Sequence, residues 1–227
     1  MANRGSPSHP GGKSTLLKAI LLGDGGVGKS CLMNRFVSNR FDPTSFHTIG
    51  VEFLNKDIVV GGQLFTCQIW DTAGQERFKS LRTPFYRGSD MCLLTFSLDD
   101  KMSFQNLANW REEFLYYADI SDKTNFPFLV IGNKVDLEPE KRVIAKETVL
   151  DWCAANGNLP YIETSAKEAT NVIFAFQSAV EKWIKMDSSS SRIDKPYNGQ
   201  TVSLSARGMT QQSPGGAASS ITPSCCQ

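Results

Sequence analysis

The sequence predicts an α/β fold: a doubly wound, mostly parallel six-stranded sheet with helices on both faces. Three observations predict it. Short β-rich runs alternate with segments whose apolar residues recur at helical spacing. Several of the strand runs are apolar throughout, as strands buried on both faces are. A glycine-rich segment follows directly on the first apolar run and opens a helix. Such alternation implies right-handed crossovers, with ligand loops at the carboxyl ends of the strands.

Taken in order, residues 16–22 form a nearly continuous apolar strand, and 29–38 read as the helix after it. Residues 51–60 and 64–71 read as two strands joined at Gly61-Gly62, a hairpin signal. The runs 91–97 and 128–132 have the composition of strands buried in a parallel sheet. Between them Phe104, Leu107, Ala108 and the stretch 110–114 fall at helical spacing. A further helix is expected over 145–155, then a short strand at 161–164. The last helix is expected over 172–184, with Phe174, Phe176, Val180, Trp183 and Ile184 largely on one side. This divides the chain into a polar leader, 1–14, a folded domain, 15–186, and a disordered tail, 187–227. The tail is rich in Ser, Gly, Pro, Thr and Gln and cannot bury enough apolar surface to offset its ordering entropy. As a flexible tether it would span on the order of 35 Å root-mean-square.

Gross composition bounds the function classes. A chain of 227 residues fits one domain of ordinary size with appendages. Hydrophobic residues at 41% and charged residues at 21% are those of a soluble globular protein. A net charge of +1 sets up no strong field, so no nucleic-acid partner is expected. No apolar run approaches the roughly 18 residues that span a bilayer, and the leader lacks the apolar stretch of a secretory signal. Cys31, Cys67, Cys92 and Cys153 lie singly in apolar-patterned segments and read as buried reduced thiols. With two histidines and no Cys-x-x-Cys pair, no structural zinc site is expected.

Gly23-Asp24-Gly25-Gly26-Val27-Gly28-Lys29-Ser30 matches the P-loop pattern, with a strand before it and a helix after. Glycines let the backbone wrap phosphate oxygens, so that successive N–H groups and a helix N-terminus point at the anion. Lys29 would neutralise β- and γ-phosphates, and the Ser30 hydroxyl would coordinate Mg²⁺. A second Gly-Lys-Ser core, Gly12-Lys13-Ser14, is a decoy: Pro7 stands where the first glycine is required, and no strand precedes it.

Asp71-Thr72-Ala73-Gly74-Gln75 follows the third strand directly. An acidic residue there, facing the P-loop, can hold the metal through water. Gly74 lets the backbone approach the γ-phosphate, and Gln75 can orient the attacking water. Asn133-Lys134-Val135-Asp136 follows the strand at 128–132. The Asp136 carboxylate can accept both N1–H and N2–H₂ of guanine, a pair of donors that adenine lacks. Leaving that acceptor unpaired costs on the order of 1–3 kcal/mol, so the wrong base is rejected. Asn133 can tie neighbouring loops together, and the Lys134 stem can cover the base. Ser165-Ala166-Lys167, again after a strand, offers a backbone N–H for the guanine O6.

Together these motifs resemble the Ras superfamily of small GTPases, and within it the Rab family. The resemblance covers about residues 16–185 and includes Ile49-Gly50-Val51-Glu52-Phe53, Trp70 before Asp71, Gln75-Glu76-Arg77-Phe78 and Tyr86-Arg87-Gly88-Ser89. It implies that Thr48 binds Mg²⁺ and senses the γ-phosphate, that Phe41 flanks the guanine, and that Cys31 and His47 join the nucleotide site. It also implies that Phe53, Trp70 and Tyr86 are the aromatic triad read by effectors. Phe46-His47-Thr48-Ile49-Gly50, Leu81-Arg82-Thr83-Pro84-Phe85-Tyr86, Cys92-Leu93-Leu94-Thr95-Phe96-Ser97 and Phe114-Leu115-Tyr116-Tyr117-Ala118-Asp119 resemble the Rab branch that serves return traffic from late endosomes to the trans-Golgi network. A neighbouring late-endosome and lysosome branch is the alternative.

Cys225-Cys226-Gln227 excludes a Cys-a-a-X box, since that box would need cysteine where Ser224 stands. The tandem pair resembles Rab tails that carry two geranylgeranyl groups, from which Gln227 is a mild departure. One lipid binds membranes marginally, and the tail's few cations make no polybasic second signal, so both cysteines are expected to be modified. The implied partners are GTP and GDP, an exchange factor, a GTPase-activating protein and a GDP-dissociation inhibitor. To these the resemblance adds Rab escort protein with geranylgeranyltransferase, membrane effectors and the cytoplasmic face of late-endosomal and trans-Golgi membranes. No arginine finger is evident, so intrinsic hydrolysis is expected on the order of 10⁻⁴ s⁻¹ by analogy with Ras. A P-loop kinase or ATPase leaves Asn-Lys-x-Asp unexplained; a GTP-binding module with negligible turnover leaves Gln75 idle.

Overall fold

In the computed structural model, residues 14–43, 48, 50–120 and 122–189 are described. The apolar runs pair into one sheet of β1 (Thr15–Leu22), β2 (Val51–Val60), β3 (Gln63–Thr72), β4 (Met91–Ser97), β5 (Phe128–Asn133) and β6 (Tyr161–Thr164), in the order β2-β3-β1-β4-β5-β6. The β2–β3 hairpin is antiparallel and every other pairing is parallel. Gly61 and Gly62 turn it with φ of 58° and 79°, the left-handed pair that a two-residue hairpin requires.

Period-two alternation along β1 divides the core in two. Leu17, Ala19 and Leu21 face α1 (Lys29–Ser38) and the last helix, with Leu32, Met33, Phe36, Ala175, Phe176 and Val180 packed on them. Ile20 and Leu22 face the other way, toward Phe104, Leu107, Trp110, Phe114, Val149 and Cys153. A strand covered on both sides has no solvated face, which is why β1, β4 and β5 read as apolar throughout. Phe36 stacks on Phe176 with ring centroids 3.9 Å apart, and burying each ring contributes roughly 1.5–3 kcal/mol. β1 has β3 on one side and β4 on the other, so the strand order reverses beside it. All the motif-bearing loops therefore gather at the carboxyl ends of the strands around this reversal.

Four stretches differ from expectation. The segment 76–85, which has no apolar period, forms two 3₁₀ turns around a single helical turn, α2 (Lys79–Arg82). The helix expected around 104–114 is two, α3 (Lys101–Gln105) and α4 (Leu107–Tyr117). Asp100 caps α3 by accepting from the Met102 and Ser103 N–H groups. The break falls at Asn106, whose side chain is drawn off to the P-loop, donating to Asp24 Oδ2 at 2.7 Å. Then α5 (Lys146–Ala155) starts one residue inside expectation. The final helix, α6 (Val172–Ser189), runs past 184 and beyond the expected domain edge at 186. The leader 1–13 and the rest of the tail, 190–227, lie outside the described residues, as does the expected tether.

Cys67, Cys92 and Cys153 are buried and unbridged, and burial raises their thiols, Cys67 to about 12 and Cys153 to about 11. Cys31 differs: it is half-buried and lines the cavity described next.

Candidate functional site

The loop between β1 and α1 wraps one end of a cavity of about 300 Å³. Gly28 stands at the N-cap of α1 with φ 95°, so no side chain caps the helix and its first-turn N–H groups open on the cavity. Lys29 is buried beside it. Its ammonium donates to the carbonyls of Gly23 at 2.7 Å and Asp24 at 2.8 Å. An ammonium carries three donors, so one is left for the cavity that Lys29 lines. Burial lowers its pKa to about 8, against the opposing pull of Asp71 and Asp24.

Across from Lys29, three oxygens converge from three elements. Thr48 Oγ1 lies 2.8 Å from Ser30 Oγ, and both hydroxyls donate to Asp71 Oδ2, the Thr48 bond at 3.0 Å. The other Asp71 oxygen is buried with no protein partner among the described residues. Burial pushes this carboxyl up, while Lys29 and the two hydroxyls pull it down. This donor set fits Mg²⁺. All its atoms are hard oxygens, the orphaned carboxylate oxygen is compensated by a cation, and the 2.8 Å hydroxyl pair matches the edge, about 2.9 Å, of an octahedron with bonds of 2.0–2.1 Å.

Gly74 crosses the P-loop in backbone contact. A Cβ there would overlap the backbone of Asp24 and Gly25, so any other residue separates the two loops. Gln75 follows, with its Cγ 3.6 Å from where a Cβ on Gly25 would lie, and both residues line the cavity. Thr72 donates to the Leu21 carbonyl at 2.8 Å and Ala73 N–H to the Gly50 carbonyl at 2.9 Å, which fix the ends of this loop.

Asn133, Lys134, Asp136, Ala166 and Lys167 line the far end of the same cavity, with Phe41 on its rim. The Ser165 hydroxyl donates to Asp136 Oδ1 and accepts from the Glu168 N–H, which orients the carboxylate. Lys134 adopts φ 69°, a left-handed conformation uncommon outside glycine and frequent at binding sites. In the 165–167 loop, the Ser165 N–H is spent on the Thr170 carbonyl at 3.0 Å, whereas the Ala166 N–H makes a longer 3.3 Å bond to Asn133 Oδ1. Gly23, Val27 and Ser165 therefore support the cavity rather than line it. Gly23 backs onto Thr95, and the Val27 carbonyl accepts the Asn133 amide at 2.9 Å.

Sequence reasoning missed the residues that brace these loops. Arg35 reaches from α1 to the carbonyls of Ala166 and Lys167, each at 2.8 Å. A basic residue in the last turn of a helix signals a C-terminal contact, but nothing local says that it spans to the base loop. Asp24 accepts from Trp110 Nε1 at 2.6 Å and from Asn106, and Arg82 donates to the Gln75 carbonyl at 2.8 Å.

The aromatic triad needs a correction. Phe53 is exposed and stacks on Trp70 with centroids 4.8 Å apart. Tyr86, however, is 0% exposed and packs on Phe114, with its hydroxyl donating to Glu113, so a partner at the surface cannot read it. The ring that continues the row is Phe85, 38% exposed and 5.3 Å from Trp70. Lys18 holds this corner by donating to the carbonyls of Phe85 at 2.6 Å and Arg87 at 2.8 Å beneath the Trp70 ring. His47, Cys225 and Cys226 lie outside the described residues.

The model of the Ras family matches residues 18–185. The chain is 60% identical over 195 residues to the Ras-related protein Rab-9B of Mus musculus, covering 86% of this chain and 94% of the relative. It is 61% identical over 193 residues to Rab-9A of Homo sapiens, covering 85% and 94%. To Rab7 of Pisum sativum it is 52% identical over 177 residues, covering 78% and 86%.

Proposed function

The chain belongs to the Ras family of small GTPases, within its Rab branch, and from that premise we propose which residues run its cycle. It is a GTP-binding switch that hydrolyses GTP to GDP and works with nucleotide, regulators and effectors, as the family does. The observation that carries the site assignment is the single cavity with the P-loop, Thr48, Gly74 and Gln75 at one end and Asn133, Lys134 and Asp136 at the other.

In this reading, Lys29 and the first-turn N–H groups of α1 hold the β- and γ-phosphates. Ser30, Thr48 and Asp71 would hold Mg²⁺, which would supply charge neutralisation to those phosphates. Gly74 presents its N–H to the γ-phosphate and Gln75 orients the water that attacks it. Asp136, aimed by Ser165, accepts the two guanine donors, and Ala166 offers its N–H to O6. When the γ-phosphate leaves, Thr48 and Gly74 lose their partner and their loops relax.

The stacked row of exposed Phe53, half-buried Trp70 and exposed Phe85 adjoins both loops and is the surface offered to effectors. Cys225 and Cys226 are the proposed lipid attachment points. No helix among the described residues is long and apolar enough to cross a membrane. The transport step is from late endosomes to the trans-Golgi network, a reading supported by the branch motifs and by the similarity to Rab-9A and Rab-9B.

Labelled-nucleotide competition with magnesium tests the site. GTP and GDP should displace the label and ATP should not; equal competition by ATP removes Asp136 from its role. In single-turnover hydrolysis, Gln75→Leu should slow the wild-type rate on the order of a hundredfold or more.

A further inference from the structure

Arg82 is an arginine buried to 2% exposure, in a segment that has no apolar face of its own. A guanidinium stays charged, so at that depth every donor needs a partner. Nε donates to Glu113 Oε1 at 3.0 Å and to the Tyr86 hydroxyl at 3.1 Å, and Nη2 donates to Glu113 Oε2 at 3.2 Å. This fork neutralises the charge. The plane lies over the Trp110 ring, 4.4 Å from its centroid, and that indole is itself tied to Asp24 of the P-loop. The remaining nitrogen, Nη1, donates at 2.8 Å to the carbonyl of Gln75, and at the 3.5 Å limit to that of Ala73.

Charge pairing alone does not require that last bond, since Glu113 already satisfies the ion. The Gln75 carbonyl also accepts the Phe78 N–H at 3.0 Å, so Arg82 adds a second fixed bond to the same atom. Nor is Arg82 an arginine finger. It lines the adjoining cavity behind Gly25, Gly74 and Gln75, not the nucleotide cavity, and it meets Gln75 from that side. Its donors end on a main chain that has to be held still while the Gln75 side chain holds a water.

We infer that Arg82 is a positioning residue for GTP hydrolysis: clamped by Glu113 and Trp110, it fixes the backbone of Gln75 against the P-loop. The inference rests on the reading of Gln75 as the water-orienting residue. Misplacement of such a group by about 1 Å can cost a hundredfold. Its loss should act on the chemical step and not on nucleotide binding, because Arg82 does not line the nucleotide cavity.

The test is single-turnover hydrolysis by the GTP-loaded full chain, with GDP and GTP dissociation rates measured alongside. Arg82→Met should slow hydrolysis roughly ten- to a hundredfold and leave both dissociation rates within about twofold. Because Arg82→Met strands the partly buried Glu113 carboxylate, the charge-matched pair Arg82→Met with Glu113→Gln is measured too and should show the same loss. Arg82→Lys should recover part of the rate, since one ammonium cannot fork to Glu113 and reach Gln75 together. Adding Arg82→Met to Gln75→Leu should slow hydrolysis no further than Gln75→Leu alone. Wild-type hydrolysis in both Arg82→Met variants, with Gln75→Leu slow, overturns the inference and leaves the reading of Gln75 standing. So does faster nucleotide release in step with slower hydrolysis, or an additive double variant. A Gln75→Leu rate equal to wild type overturns the reading of Gln75 and the inference with it.

Discussion

Asn133 ties two segments together through three hydrogen bonds of its side-chain amide. It donates to the Val27 carbonyl at 2.9 Å and accepts from Thr164 Oγ1 at 3.1 Å and the Ala166 N–H at 3.3 Å. The amide reaches Val27 because Gly28 has no side chain; a Cβ there would overlap Asn133 Nδ2. Truncation to alanine leaves buried partners unpaired at about 1–3 kcal/mol each, not additively. Asn133→Ala should therefore lower the midpoint of thermal unfolding and speed GDP release, as read by calorimetry and nucleotide exchange. A variant that releases GDP at the wild-type rate would show that the tie does not hold the base loop in place. The motif and its strand-end position were legible in the sequence, as was the likelihood of a tie. Its partners were not, since Thr164 and Val27 belong to other segments of the chain.

Among the elements, α4 shows how a legible helix can stabilise an illegible one. Leu107, Trp110 and Phe114 recur at helical spacing, and all three are buried as that pattern requires. The segment 76–85 has no such pattern and is held from α4 by Glu113, which accepts from Arg82 and Tyr86 and pairs with Lys79 at 3.2 Å. Lys79 is half exposed, so its pair with Glu113 adds little. Burial alone would push the Glu113 carboxyl up, but its bonds to Arg82, Tyr86 and Lys79 hold it below the ordinary glutamate value. With a folded pKa below the unfolded one, the stabilisation is complete above about pH 4.3 and fades as pH falls through the lower, folded value. Chemical denaturation between pH 7 and 3 should find Glu113→Gln less stable than wild type at pH 7, with the gap closing at the acid end. Parallel profiles would remove Glu113 from the acid response.

For the whole molecule, the doubly wound sheet places every motif at one edge, and a ligand that fits that edge must stabilise the fold by mass action. At a hundred times its dissociation constant, a nucleotide adds about 2.7 kcal/mol, or roughly 5–10 °C in the unfolding midpoint of a domain this size. GTP or GDP with magnesium should produce that shift in differential scanning fluorimetry and ATP at equal concentration should not; an equal shift with ATP would contradict the base pocket. The sequence by itself determined the strand and helix alternation, the phosphate loop, the base motif and the Rab resemblance. Spacing and residue chemistry within single segments suffice for the first three, and the resemblance rests on motifs that can each be read without the fold. The tertiary structure alone decided that Arg82 grips the backbone of Gln75 and that Asp24 is tied to Trp110 and Asn106. It also decided that Phe85 rather than Tyr86 faces outward. A 3₁₀ turn over 83–85 rotates successive residues by about 120°, so neighbouring aromatics leave it in different directions, and the one that is buried is set by what α4 presents to it.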